Sequence, residues 1–76
     1  MIKELDAVVL TRNAPEYGLE AGDIGAVVHC YRNGKALEVE FVTGEGGTAA
    51  VVTLNTTDVR AMRGKEILHV RELKVA

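Results

Sequence analysis

The sequence predicts an all-β fold, a small five-stranded barrel with one short 3-10 or helical turn. Three observations carry this. Short β-branched apolar runs alternate with turn-rich stretches. Two hairpin turns give registers that agree with each other. No helical stripe is long enough to cover a sheet, so a sheet with one apolar face must curl onto itself.

The elements follow in order. Asp6-Ala7-Val8-Val9-Leu10 opens a first strand over residues 6–11, ended by a polar stretch to residue 22 that contains Asn13, Pro15 and Gly18. A second strand is expected over 24–31 and a third over 36–43. Between them Arg32-Asn33-Gly34-Lys35 holds an Asn-Gly pair, the preferred centre of a two-residue type I′ hairpin because both residues there need positive φ. Gly44-Glu45-Gly46-Gly47 is a second turn, leading to a fourth strand over 48–54. Asn55-Thr56-Thr57-Asp58 supplies capping residues for the single helical or 3-10 turn, through about Met62. After Gly64 the run Glu66-Ile67-Leu68-His69-Val70-Arg71 lacks a 3.6-residue stripe and predicts the fifth strand, over 66–71.

The turns set the register. With Asn33-Gly34 as a loop, Cys30 faces Leu37, Val28 faces Val39 and Ala26 faces Phe41. A four-residue second loop places Leu37 opposite Leu54, Val39 opposite Val52 and Phe41 opposite Ala50. Together with Val8 and Leu10 these residues form the expected core. The outward face then holds His29, Glu38 and Thr53 in one row, Val27, Glu40 and Val51 in the next, and Gly25, Val42 and Ala49 in the third.

Seventy-six residues, 47% hydrophobic and 26% charged, make one folded domain spanning 1–76. A single cysteine excludes an intramolecular disulfide, and the N-terminus lacks the apolar run of a signal peptide; both point to the cytoplasm. No stretch approaches the roughly 18 apolar residues of a membrane span, so no membrane role is expected. Net charge is −2, unevenly spread: residues 1–59 hold four Lys/Arg against nine Asp/Glu, and residues 60–76 hold five against two. An acidic body thus carries a basic C-terminal strip.

Leu19-Glu20-Ala21-Gly22-Asp23-Ile24-Gly25-Ala26-Val27-Val28 has the pattern L-x-x-G-D-x-G-x-V-V, which resembles the loop-to-strand junction of SH3-like barrels. Its glycines permit tight turns and close backbone approach, and its Asp can accept hydrogen bonds from nearby amides. With Leu37-Glu38-Val39-Glu40-Phe41-Val42, Thr57-Asp58-Val59-Arg60 and Ile67-Leu68-His69-Val70-Arg71, nearly the whole chain resembles the small bacterial proteins of domain-of-unknown-function family 4926. Leu37 departs from the expected aromatic and Ala61 from an expected proline. The resemblance implies an SH3-like barrel with no assigned catalytic residues. It also implies a small stand-alone protein encoded beside a toxin-like one, hence an antitoxin or immunity role.

Chemistry is thinly supported. Nucleophilic catalysis would need Cys30 beside a histidine, yet its neighbour His29 falls on the opposite face. Metal binding lacks CxxC and HxxxH spacings, and His29 reads as a surface residue paired across the strand to Glu38. Glu38 and Glu40 share a face, but without a cleft they read as solvated charges. Gly44-Glu45-Gly46-Gly47 has no Lys-Ser/Thr sequel and is no phosphate cradle. No enzyme activity and no cofactor are therefore expected. Nucleic-acid binding ranks third: Trp is absent, and Tyr17, Tyr31 and Phe41 are not interleaved with the basic residues Arg60, Arg63, Lys65, Arg71 and Lys74.

The leading expectation is a module that binds a protein partner, with a cognate toxin as the specific form; the alternative is an accessory or assembly subunit of an enzyme complex. Two surfaces are candidates. The loop of residues 12–22 presents Glu16, Tyr17 and Glu20, either for contact with a partner or with Tyr17 folded over the barrel mouth and Leu19 anchored in the core. The outward sheet face presents Val27, Val42, Ala49 and Val51 with a rim of His29, Glu38, Glu40 and Thr53. That face is either an interface, with a partner or a second copy, or is covered by residues 1–5 or the last strand.

Overall fold

The computed structural model describes residues 2–73. Five antiparallel strands form one sheet: β1 (Ala7–Leu10), β2 (Ile24–Cys30), β3 (Ala36–Val42), β4 (Thr48–Asn55) and β5 (Val59–Ala61). Their order is β4-β3-β2-β1-β5. Residues from all five strands, including both edge strands, meet in a single core of Val8, Leu10, Val27, Leu37, Val39, Phe41, Val52, Leu54 and Val59, joined by Ala14 and Leu19 of the first loop. Only a curled sheet brings its two edges into one core, so the architecture is barrel-like.

The predicted pairing of the third and fourth strands holds as far as Phe41: Leu37 pairs with Leu54, Val39 with Val52 and Phe41 with Ala50. The register then shifts, so that Val42 pairs with Thr48, and Ala49, expected on the outward face, is half-buried against the core. The second strand keeps the predicted pairing only at its turn end. Cys30 pairs with Leu37 and His29 with Glu38, but Val27, not Val28, pairs with Val39, leaving Val28 as the extra residue of a bulge. Every side chain before the bulge therefore changes face. Val27, expected outside, is fully buried, whereas Val28 and Ala26, expected in the core, are exposed. Gly25 also turns inward. Cys30 and Ala50 are half-buried against the core, and Val9 joins the buried set.

The hairpin between β2 and β3 is not a type I′ turn. Gly34 alone has positive φ, at 70°, while Asn33 accepts a hydrogen bond from the Lys35 amide through its side chain. The Tyr31 amide reaches the Ala36 carbonyl around a four-residue loop, so the register at the turn survives the change of turn type.

The fifth strand differs most from expectation. A 3-10 turn over Thr56–Asp58 follows β4 directly and delivers residues 59–61 to the free edge of β1, where Val8 pairs with Ala61 and Leu10 with Val59. A second 3-10 turn, Pro15–Tyr17, sits in the first loop, so there are two such turns and not one. Residues 66–71 have β propensity but form no strand, because the chain leaving the turn has already filled the β1 edge.

Two substitutions test this arrangement. Val27→Ala is expected to cost about 2 kcal/mol and Val28→Ala to stay within about 0.5 kcal/mol, read from denaturant midpoints; equal costs would remove the bulge. At Gly25 an added Cβ would lie 2.5 Å from Val39 Cγ1 and 2.9 Å from Phe41 Cε2. Gly25→Ala is expected to destabilise by about 1–3 kcal/mol through overpacking.

Candidate functional site

The first loop is built by local bonds. Ala14 and Leu19 bridge each other and are both buried, which anchors the loop in the core at its two ends. Asn13 accepts the Ala21 amide at 2.9 Å, and the Asp23 carboxylate accepts the Glu20 amide at 2.9 Å. Between the anchors Glu16 and Tyr17 stand on the short 3-10 turn, with Tyr17 exposed.

A distant residue completes this loop. The Arg71 guanidinium donates from Nε to Asp23 Oδ1 at 2.8 Å and from Nη2 to Asp23 Oδ2 at 2.6 Å. Nη2 also donates to the Gly18 carbonyl at 2.8 Å, and Glu20 lies 3.7 Å from Nη1. Burial alone would raise the Asp23 carboxyl, but the bonds from Arg71 and from the Glu20 amide outweigh it, and the group sits below its ordinary value. Asp23 in turn raises Arg71.

Arg71 belongs to an arm, residues 62–73, that leaves β5 and returns across the barrel. The arm is pinned near its start as well. Arg60 grips Glu66 with a bidentate pair, Nη1 to Oε1 at 2.8 Å, and the Arg63 amide adds a third bond at 2.6 Å. Arg60, with the Arg63 amide behind it, holds the Glu66 carboxyl down at about 2. Between loop, sheet and arm lies a cleft of about 130 Å³, lined by Leu19, Phe41, Val42, His69, Arg71 and Leu73 among others.

The outward sheet face has an acidic centre. Glu38 and Glu40 run down β3, with Val51 opposite Glu40 on one side and Ala26 on the other. Val28, Val42 and Val51 are exposed, at 42%, 58% and 51%. Glu40 accepts the Thr48 hydroxyl at 2.7 Å and Glu38 the Tyr31 hydroxyl at 3.0 Å. His29 pairs with Glu38 in register, yet its ring packs edge-on against Tyr31 and its Nδ1 lies 3.8 Å from Glu4. Met1 lies outside the described residues; of the rest of the N-terminal segment, Ile2 turns to the core and Leu5 is exposed, so Val42 and Val51 stay open to solvent.

The structure thus gathers His29, Glu38, Glu40, Val42 and Val51 on one face and Glu16, Tyr17 and Glu20 on one loop. Val27 and Ala49 leave the predicted outward set, Val27 for the core and Ala49 for a half-buried position against it, and Val28 takes the place of Val27 outside. Sequence reasoning missed the Arg71–Asp23 clamp. The Asp23 half had a signal, its place in the Gly-Asp junction, while Arg71 lies 48 residues away and gave none. Arg60 and Arg71, two of the basic strip, are neutralised by carboxylates of their own chain, and Lys74 lies outside the described residues. Cys30 points its thiol toward the Ile2 carbonyl at 3.9 Å. Among the described residues no group of three His, Cys, Asp or Glu could hold a metal ion, and no helix is long and apolar enough to cross a membrane.

Fold and surface together define a small all-β, barrel-like domain closed by a clamped C-terminal arm. The family described as Domain of unknown function (DUF4926) matches residues 4–61, and the chain belongs to that family. Searches of curated proteins and of solved structures found no match. The match takes in the five strands and the first loop, while the arm with Glu66 and Arg71 follows it.

Both clamp carboxyls are depressed, so each contributes stability that is whole above its ordinary value, 4.5 for Glu66 and 3.8 for Asp23, and is lost as pH falls through the folded-state value. Acidification is therefore expected to release the arm between about pH 4.5 and about pH 2 for Glu66, read from the Arg63 amide and Arg71 Nε–H resonances in NMR. In Arg71→Ala the Asp23 carboxyl is expected to titrate above its wild-type value, because burial then acts with less opposition. An unchanged Asp23 titration would mean that the clamp does not form in solution. Tyr17→Ala, at an exposed position, is expected to change stability by no more than about 0.5 kcal/mol.

Proposed function

We propose that this domain is a non-catalytic protein-binding module and that its outward sheet face is the binding surface. The observation that carries the reading is the exposure of Val28, Val42 and Val51 around the acidic row of Glu38 and Glu40. Large apolar side chains grouped on one face, with charged groups to set orientation, have the composition of an interface. The first loop, with Glu16, Tyr17 and Glu20, meets this face at the cleft, where Leu19 and Val42 share a wall. The finer form of the proposal is an antitoxin or immunity protein that occupies a partner, supported by the resemblance to small proteins encoded beside toxin-like ones. An accessory subunit of an enzyme complex is the alternative, and it would use the same face.

Val51→Glu tests the reading. The residue is half exposed on an edge strand, so the variant is expected to keep the wild-type circular dichroism and melting temperature. In affinity capture from the native host, the proteins retained by wild type are expected to be lost with Val51→Glu. Equal capture by a folded Val51→Glu variant would remove this face from the function.

A further inference from the structure

We propose that the partner of the outward sheet face is the C-terminal arm of a second copy of this chain, docked reciprocally so that two arms and two faces close a dimer. The inference rests on the reading of that face as a binding surface and names what it binds.

The arm displays what such a face requires. Ile67, Leu68 and Val70 are 95%, 62% and 91% exposed, the densest run of solvated large apolar side chains among the described residues. A loose tail would gain little from such a display. Here the run is held at both ends, by the Arg60–Glu66 pair before it and by the Arg71–Asp23 pair after it. Two bidentate ion pairs fix the path of the segment between them, so part of its ordering cost is met before any partner arrives.

Charge supplies the identity of the partner. The face carries Glu38 and Glu40 between its valines, within a body of four Lys/Arg and nine Asp/Glu over residues 1–59. Arg63 and Lys65, both exposed, lead into Ile67. An apolar segment headed by two cations matches an apolar face centred on two carboxylates. Within one chain the three apolar arm residues remain in water, so the chain's own face does not bury them. A second copy brings the same complementary pair, and reciprocal docking of arm on face is an isologous contact that closes at two subunits.

Sedimentation velocity from micromolar to millimolar concentration tests this. The wild type is expected to form a concentration-dependent dimer. Ile67→Glu and Val70→Glu, both at positions nearly fully in solvent, are each expected to weaken it at least about tenfold with unchanged circular dichroism. A charge exchange separates arm-on-face docking from other dimers. Glu38→Lys with Glu40→Lys, or Arg63→Glu with Lys65→Glu, is expected to weaken the dimer, and a chain carrying all four changes to recover it. A wild type that stays monomeric, a dimer indifferent to both arm variants, or arm variants that unfold would each overturn the inference. In the first two cases, continued loss of captured host proteins in Val51→Glu would leave the face as a binding surface for another protein, so the two readings fail separately.

Discussion

The fold turns on the missing side chain at Gly25. The bulge at Val28 shifts β2 by one residue and brings position 25 to the inner face, where the Val39 side chain and the Phe41 ring come within overlap distance of any Cβ placed there. With only hydrogen at that point, β3 packs its largest core side chain against the backbone of β2. The sheet can then bend tightly enough for Val52 and Leu54 of one edge and Val59 of the other to share a core. The bulge and the glycine act together: the first turns the position inward, the second lets it fit.

The same junction positions the surface. Leu19 fastens the first loop to the core, and Asp23, four residues on, presents a carboxylate with little solvent around it. A carboxylate so placed needs strong donors, and the Glu20 amide meets only part of that need. Arg71 supplies the rest, and in doing so ties the arm to the loop. The short Leu-to-Gly stretch from 19 to 25 thereby links three properties that look separate: the curvature of the barrel, the shape of the first loop and the path of the chain's last described residues.

Much of the fold was legible. The apolar alternation of Leu37, Val39 and Phe41 against Leu54, Val52 and Ala50 fixed two strands and their register, because a slip of one residue would have placed every one of those side chains in water. The second strand was legible only at its end. Its run Ala26-Val27-Val28 is apolar at consecutive positions, so no alternation exists to say which valine faces inward, and a bulge leaves no mark in such a run. The fifth strand was misplaced because Ile67, Leu68 and Val70 look more strand-like than Val59, Arg60 and Ala61. Pairing went instead to the segment that the 3-10 turn set beside β1.

The sequence by itself determined the fold class, the two hairpins, most of the core and the acidic, valine-bearing character of the outer face, since each follows from local periodicity and turn chemistry. Only the tertiary structure decided which of Val27 and Val28 is buried, where the sheet ends, and that Arg71 closes on Asp23. Each of those outcomes depends on a contact between segments far apart in the chain or on competition for one open strand edge. A local pattern carries no information about either, because the free energy that settles them comes from the neighbours that folding brings together.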